Sequence, residues 1–223
     1  MEFADRAAAG RRLAGRLGHL RGPDLTVVGL PRGGVAVAAE VARVLGAPLD
    51  VIVVRKLGLP GQPELAMGAI GEGGVRVLDE DLLRRAGVSG DELRAVEARE
   101  RVELRRRAGR LRGGRPATSL SGRRVVLVDD GVATGASARA ACQVARAAGA
   151  RRVILAVPVA PPGWTGRLGD VADEMICVTS PAGFRAVGQV YDDFHPMDDD
   201  EVLACLAAVN PPRPPAGPGG LRS

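Results

Sequence analysis

A chain of 223 residues, 46% apolar but only 2% aromatic, is long enough for one large domain whose core is Val, Leu, Ile and Ala, which suits an α/β sheet. It holds no run of about 18 uninterrupted apolar residues, which excludes a spanning helix, and Met1 to Asp5 lack the basic-then-apolar order of a signal peptide. The net charge of +5 suits a polyanionic ligand, while Cys142, Cys177 and Cys205 are widely spaced with no CxxC pair, which excludes a disulfide frame or zinc ribbon and fits reduced thiols in a cytoplasmic protein.

Residues 3–20 place Phe3, Ala7, Leu13, Leu17 and Leu20 near one helical face, with Gly22-Pro23 as terminator, and predict a helix. Leu25 to Leu30 reads as a short buried strand. It runs into Pro31-Arg32-Gly33-Gly34 and then a helix from Val35 to Leu45. Two glycines after a strand let backbone approach a ligand, and an Arg there can hold phosphate oxygens as a fork. A tight turn with a solvated Arg would use the same residues. Leu49 to Val54 predicts a second buried strand, with Arg55 and Lys56 at its end. Lys56 is the single Lys among 31 basic residues, a compact ammonium where the rest of the chain uses rigid guanidinium forks. Ligands of open parallel sheets bind outside the C-terminal strand ends, so Arg32, Arg55 and Lys56 are candidates.

Residues 57–74 are rich in glycine and proline and predict a long loop, with Gln62 and Glu64 at its tip. Val75 to Leu78 returns as a brief strand. Asp79 and Ser89 are placed to cap helices over 80–86 and 91–112. The second helix is dense in charge, with Glu97/Arg101 and Glu100/Arg105 at helical spacings and a thin stripe of Leu93, Val96 and Leu104. It reads as a solvated helix packed by one edge. No aromatic residue accompanies its arginines, so stacking on single-stranded nucleic acid has no support. Gly113 to Gly122 reads as a linker.

Val125 to Ser137 reads V-V-L-V-D-D-G-V-A-T-G-A-S. Four apolar residues predict a strand buried on both faces, and Asp129 and Asp130 stand where it emerges. A turn and the helix-like run Ala136 to Ala148 follow. Backbone N–H groups and the helix dipole there would face an anion, with the hydroxyls of Thr134 and Ser137 beside it. Like charge keeps the acidic pair off that anion and leaves it for sugar hydroxyls or a magnesium ion. Beyond it, Arg152 to Val157 and Glu174 to Val178 predict further strands, separated by a short helix at Trp164 to Leu168. The alternation predicts a doubly wound parallel sheet with right-handed crossovers. The segment Phe184 to Phe194 collects scarce aromatics, either as a face for a flat ligand or as a C-terminal core cluster. His195 has no partner in sequence and reads as a surface or capping histidine. Asp198 to Val209 predicts a last helix with its acids at the favourable end. The tail at 210–223 is too rich in Pro and Gly to bury the surface that would order it.

All thirteen positions from Val125 to Ser137 resemble the phosphoribosyl-pyrophosphate (PRPP) signature of the type I phosphoribosyltransferases. That signature is four apolar residues, two acids, three loop residues, Thr-Gly, any residue, then Ser or Thr. The Arg-Gly-Gly-Val and Arg-Lys-Leu-Gly elements further resemble an uncharacterised bacterial group of these proteins. The resemblance spans residues 1–209. It implies the type I α/β fold, with a flexible hairpin at 57–74, a helical insertion at 79–112 and a small hood at 180–197. It implies transfer of the 5-phosphoribosyl group of PRPP to a nitrogenous, nucleobase-like acceptor, with magnesium and release of pyrophosphate.

Residue by residue, the resemblance gives Asp129 and Asp130 the ribose hydroxyls, with magnesium held directly or through those hydroxyls or water. Val132, Ala133, Thr134, Gly135, Ala136 and Ser137 would hold the 5-phosphate, with Gly131 also among the PRPP contacts. Arg32, Gly33 and Gly34 would hold the pyrophosphate, Arg32, Gly33 and Lys56 neutralising it as it leaves, with Arg55 also among the PRPP contacts. Phe184, Val187 and Asp192 are similar to the hood motif that meets the base. Enzymes acting on 6-oxopurines carry an Asp immediately before the Thr of the signature. Ala133 stands there in this chain, which disfavours hypoxanthine or guanine. Besides PRPP and the acceptor, a homodimer is an allowed partner, whereas membrane and nucleic acid are not expected. The rival reading is a regulator that senses PRPP or a nucleotide on the same fold and transfers nothing.

Overall fold

The computed structural model describes residues 2–210. Helix α1 (Arg6–Ala14) starts where the Asp5 carboxylate accepts from the N–H of Ala8 at 2.6 Å. This corrects the helix read over 3–20. Phe3 lies before the cap and bridges Tyr191, while Gly18–Leu20 is a separate 3-10 turn. Strand β1 (Leu25–Gly29) leads to α2 (Gly33–Leu45) and β2 (Leu49–Val51). Three strands form a second, antiparallel sheet: β3 (Val54–Leu59), β4 (Gln62–Gly71) and β5 (Arg76–Leu78). Helices α3 (Glu80–Ala86) and α4 (Gly90–Arg112) follow, capped by Asp79 and by a reciprocal Ser89/Glu92 box. The chain then re-enters the main sheet through β6 (Arg124–Val128), α5 (Ala136–Ala147), β7 (Arg152–Val159), α6 (Thr165–Leu168) and β8 (Glu174–Thr179). Helix α7 (Asp199–Val209) closes the described chain.

The main sheet is parallel, in the order β2-β1-β6-β7-β8. Each strand feeds two hydrophobic layers because side chains alternate across it. Val27, Val126, Val128, Ile154 and Ala156 pack under α1, α2 and α7. Val28, Val125, Leu127, Val153 and Leu155 pack under α5 and α6. After their first residue β6 and β7 read as unbroken apolar runs because both faces are covered, while β1 carries the buried Thr26 and β2 the buried Asp50. The predicted doubly wound sheet is therefore present. Residues 211–223, most of the tail expected to stay unordered, lie outside the described residues.

Two further expectations require correction. The segment 57–74 is no loop but the larger part of an antiparallel hairpin, β3 and β4, turned at Pro60-Gly61 with Gln62 and Glu64 exposed beside the turn. Its glycines mark close approach. A Cβ on Gly58 would lie 2.4 Å from the Pro63 carbonyl, one on Gly68 2.4 Å from that of Val77, and one on Gly71 2.3 Å from Val144 of α5. Second, β2 ends at Val51, so Arg55 and Lys56 do not stand at the end of that parallel strand. They lie within β3, in the other sheet.

Helix α4 is a solvated helix packed by one edge, as its composition predicts. Val96, Leu104, Ala108 and Leu111 are buried against the core. Glu97 accepts from Arg101, but Glu100 is taken by Arg55 rather than Arg105. The end of α4 is tied down by Arg112. Its side chain is 6% exposed, donates to Asp50 at 2.8 Å and to the Val51 carbonyl at 2.7 Å, and also pairs with Glu72. Asp50 in turn accepts from Thr118 N–H at 2.6 Å. This network joins α4, β2, the linker and the turn after β4.

Candidate active site

The strand order reverses direction between β1 and β6, where one crossover runs outward to β2 and the other to β7. Crevices at such a switch point are where open α/β sheets hold ligands. Two loops meet there. Pro31-Arg32-Gly33-Gly34, whose Pro31–Arg32 peptide is cis, leaves β1, and Asp129 to Gly135 leaves β6.

The loops touch through backbone. A Cβ on Gly33 would fall 1.9 Å from an oxygen of Asp130, and one on Gly34 2.8 Å from the Asp129 Cα. Glycine is thus required in the first loop because the acidic pair fills the space where side chains would go. Gly135, at φ +85°, adopts the left-handed conformation that lets α5 start abruptly. Around it, Ala133, Thr134, Ala136 and Ser137 are exposed. Among the described residues, the N–H groups of Ala133, Thr134, Gly135, Ser137 and Ala138 meet no protein acceptor, whereas Val132 donates its own to Val159 at 2.9 Å. Ala136 N–H reaches the Thr134 hydroxyl at 3.4 Å. An open cluster of donors at a helix N-terminus is an anion site.

The acidic pair is held by residues far away in sequence. Arg6 Nε donates to Asp130 at 2.9 Å, and its other arm donates to the His195 carbonyl at 2.8 Å. Its guanidinium covers Phe194, 4.0 Å from the ring centre. The Tyr191 hydroxyl donates to the Asp130 carbonyl at 2.6 Å, and its ring stacks on Phe194 at 4.9 Å. Asp129 accepts from the N–H of Asp130 and meets no cation in a salt bridge among the described residues. Burial pushes its carboxyl well above the usual carboxylate range, and the charge of Asp130 adds to that. Burial raises Asp130 too, offset in part by the bond from Arg6. Replacing Tyr191 by Phe removes a donor from the Asp130 carbonyl and should cost about 1–2 kcal/mol of stability, measured by urea unfolding.

The other candidates divide. Arg32 is exposed at the crevice, its guanidinium 3.8 Å from Asp199. Arg55 is held by Glu100 at 2.6 Å. Lys56 is exposed and lines a cleft of about 500 Å³ that it shares with Ala136, the first residue of α5. In the segment 180–197, Val187 packs where a Cβ on Gly131 would fall, 2.5 Å away. Phe184 is half-buried against the Phe3 and Tyr191 cluster, and the side chain of Asp192 is exposed. The faces of Tyr191 and Phe194 are used internally, as a core cluster would use them. His195 is exposed between Glu201 and Asp193, which hold its imidazole above its ordinary pKa.

Arg6 and Tyr191 were not signalled by the sequence. Arg6 lies 124 residues from Asp130, and within its helix it reads as one more surface arginine. The cluster of scarce aromatics around Tyr191 was the one available hint.

Residues 4–194 match the family described as the phosphoribosyl transferase domain. The chain belongs to that family. Two relatives from strains of Mycobacterium tuberculosis, named provisionally as phosphoribosyl transferases, are 57% identical over 204 residues, covering 92% of this chain and 46% of each relative. The chain thus spans about half the length of these curated relatives. The crystal structure of TT1426 from Thermus thermophilus is 50% identical and superposes with a TM-score of 0.85, covering 93% of this chain and 99% of that one. An adenine phosphoribosyltransferase of Kineococcus radiotolerans is 54% identical over a shorter stretch of 52 residues, 22% of this chain and 28% of that protein. In this member of the phosphoribosyl transferase family, the strand-end acids and the open helix N-terminus meet in one crevice. No helix among the described residues is long and apolar enough to cross a membrane.

Proposed function

We propose that the protein transfers the 5-phosphoribosyl group of PRPP to a nitrogenous, nucleobase-like acceptor and releases pyrophosphate, with magnesium. The observation that carries this is the meeting, at one switch point, of an acidic pair with an open helix N-terminus and a glycine loop packed on the acids. The three suit the three parts of one donor molecule. The unpartnered N–H groups and the hydroxyls of Thr134 and Ser137 hold the 5-phosphate. Asp129 and Asp130 accept from the ribose hydroxyls. Arg32 faces the pyrophosphate, and Lys56 can approach from the hairpin.

The acid pair also fits a hydrated magnesium ion. Among the described residues no three-membered group of His, Cys, Asp or Glu is poised as a cage, and magnesium commonly keeps its waters while binding one or two carboxylates and substrate phosphates. When bound, it would neutralise charge on the leaving pyrophosphate. The chain itself orients and stabilises charge. Transfer passes through an oxocarbenium-like sugar, which needs alignment of acceptor, C1 and leaving group more than covalent help. Arg6 fixes Asp130, and with it the sugar. The hairpin β3–β4 covers one side and can exclude water that would intercept the sugar. Ala133 presents only a methyl group where a 6-oxopurine enzyme has a carboxylate, which supports an acceptor outside hypoxanthine and guanine.

Magnesium-PRPP at a hundredfold excess over its Kd should stabilise the protein by about 2.7 kcal/mol, a rise of several degrees in Tm. Absence of any shift at millimolar ligand would count against the proposal. A panel of nucleobases and amines, followed by pyrophosphate release, then identifies the acceptor. Binding of PRPP with silence across the whole panel would favour the sensing regulator.

A further inference from the structure

We infer that Arg107, on the helical insertion, is an anion-binding guanidinium that holds the pyrophosphate part of the donor together with Arg32. This rests on the reading of the crevice as a PRPP site. On α4, Glu100, Glu103, Arg107 and Arg110 follow one another at spacings of three and four, so they share a face. One end of this stripe is tied to the hairpin and the other to the crevice. Glu100 holds Arg55 at 2.6 Å. Arg110 holds one oxygen of Asp199 at 2.6 Å, and the other oxygen of Asp199 lies 3.8 Å from Arg32. Arg107 therefore sits between Arg55 and Arg32.

Its neighbours on the helix are accounted for. Arg94, Arg101, Arg106, Arg110 and Arg112 each reach a carboxylate, and Arg99 and Arg105 are exposed to solvent. Arg107 is half-buried, yet among the described residues it forms no salt bridge and no side-chain hydrogen bond. Burial and the nearby charges of Arg55 and Arg32 all press against its protonated form, lowering its pKa. Glu103 on the same face is taken by Arg106, and Asp199, which also acts on Arg107, is shared by Arg32 and Arg110, so Arg32, Arg107 and Arg110 have one carboxylate among three guanidiniums. Such a surplus is costly in the empty protein and is relieved by a compact polyanion. A guanidinium fork suits phosphate oxygens better than a point charge would. The cluster reaches the crevice through Arg32 of the loop after β1, not through the loop at the α5 N-terminus that suits the 5-phosphate, so it matches the pyrophosphate end of the donor.

The test uses calorimetric titration with inorganic pyrophosphate and, separately, ribose 5-phosphate, each with magnesium. Arg107→Gln should weaken pyrophosphate binding at least tenfold, about 1.4 kcal/mol, and leave ribose 5-phosphate binding within twofold of wild type. Its Tm without ligand should be equal to or above wild type, because a like charge has been removed. Arg107→Lys should fall between the two, and Arg105→Gln on the exposed face should behave as wild type. Unchanged pyrophosphate binding in Arg107→Gln, or equal loss of both ligands, overturns the role of Arg107 and leaves the PRPP reading intact. Failure of the wild-type protein to bind either ligand overturns both.

Discussion

Asp129→Asn combined with Asp130→Asn should abolish the rise in Tm given by magnesium-PRPP, while the protein still folds. The amides keep the size of the acids, and the amide oxygen at position 130 can still accept from Arg6, which in the native protein donates to Asp130 at 2.9 Å. What disappears is the negative charge that draws ribose hydroxyls and a hydrated cation. Charge-assisted hydrogen bonds contribute about 1.5–3 kcal/mol each, so losing two such acceptors should weaken binding by more than a hundredfold. Thermal shift with and without magnesium-PRPP reads the loss. A double variant that responds like wild type would refute the role given to the pair.

The same acids set a pH dependence in the empty protein. Asp129 has an ordinary value of 3.8 when unfolded and is raised well above it when folded, through burial first and the charge of Asp130 second. Between those two values the folded state binds more protons than the unfolded one. Stability therefore falls as pH rises from the ordinary carboxylate value through the raised one. Asp129→Asn should flatten that fall.

Arg112→Ala should destabilise the whole chain by about 3–5 kcal/mol, the cost of leaving a buried charge without its partner. Arg112 and Asp50 are 5% and 6% exposed, too deeply placed for bulk solvent to replace the guanidinium. Three acceptors lose their donor at once: Asp50, Glu72 and the Val51 carbonyl. Urea unfolding measures the loss, and Arg112→Met with Asp50→Asn should recover part of it, because the stranded charge is then gone. A single variant within 1 kcal/mol of wild type, on the order of an exposed pair, would show that the network is not the tie it resembles. The site should suffer as well, since the same network anchors the end of the helix that carries Arg107 and Arg110.

Much of this arrangement was legible because its causes are local. A strand buried on both faces is apolar at nearly every position, so β1, with Thr26 as its one polar side chain, and β6 stand out in the sequence. Ser89 with Glu92, and Asp198 with Glu201, are capping pairs whose partners lie three residues apart. The acidic pair, the glycine turn and the start of α5 are likewise contiguous.

The misreadings share one cause. Glycines in the segment 57–74 resemble those of a flexible loop, but at Gly58, Gly68 and Gly71 they are there because another backbone or Val144 comes too close for a side chain. The run from Leu49 to Val54 reads as one largely apolar strand, so periodicity could not show that the chain leaves one sheet for the other after Val51. Arg55 therefore lies inside the hairpin and not at the end of the parallel strand.

Sequence alone determined the strand-loop-helix that offers an anion site, the acids beside it and the alternation that builds the sheet, because each depends on neighbours within a few residues. Tertiary structure decided which distant groups complete the site. Arg6 fixes Asp130, Tyr191 holds its carbonyl, Glu100 takes Arg55, and Asp199 comes to lie between Arg110 and Arg32. Those pairings join residues brought together only when the strands take their order and the insertion packs back on the sheet, and a charge in a sequence carries no mark of the partner it will meet.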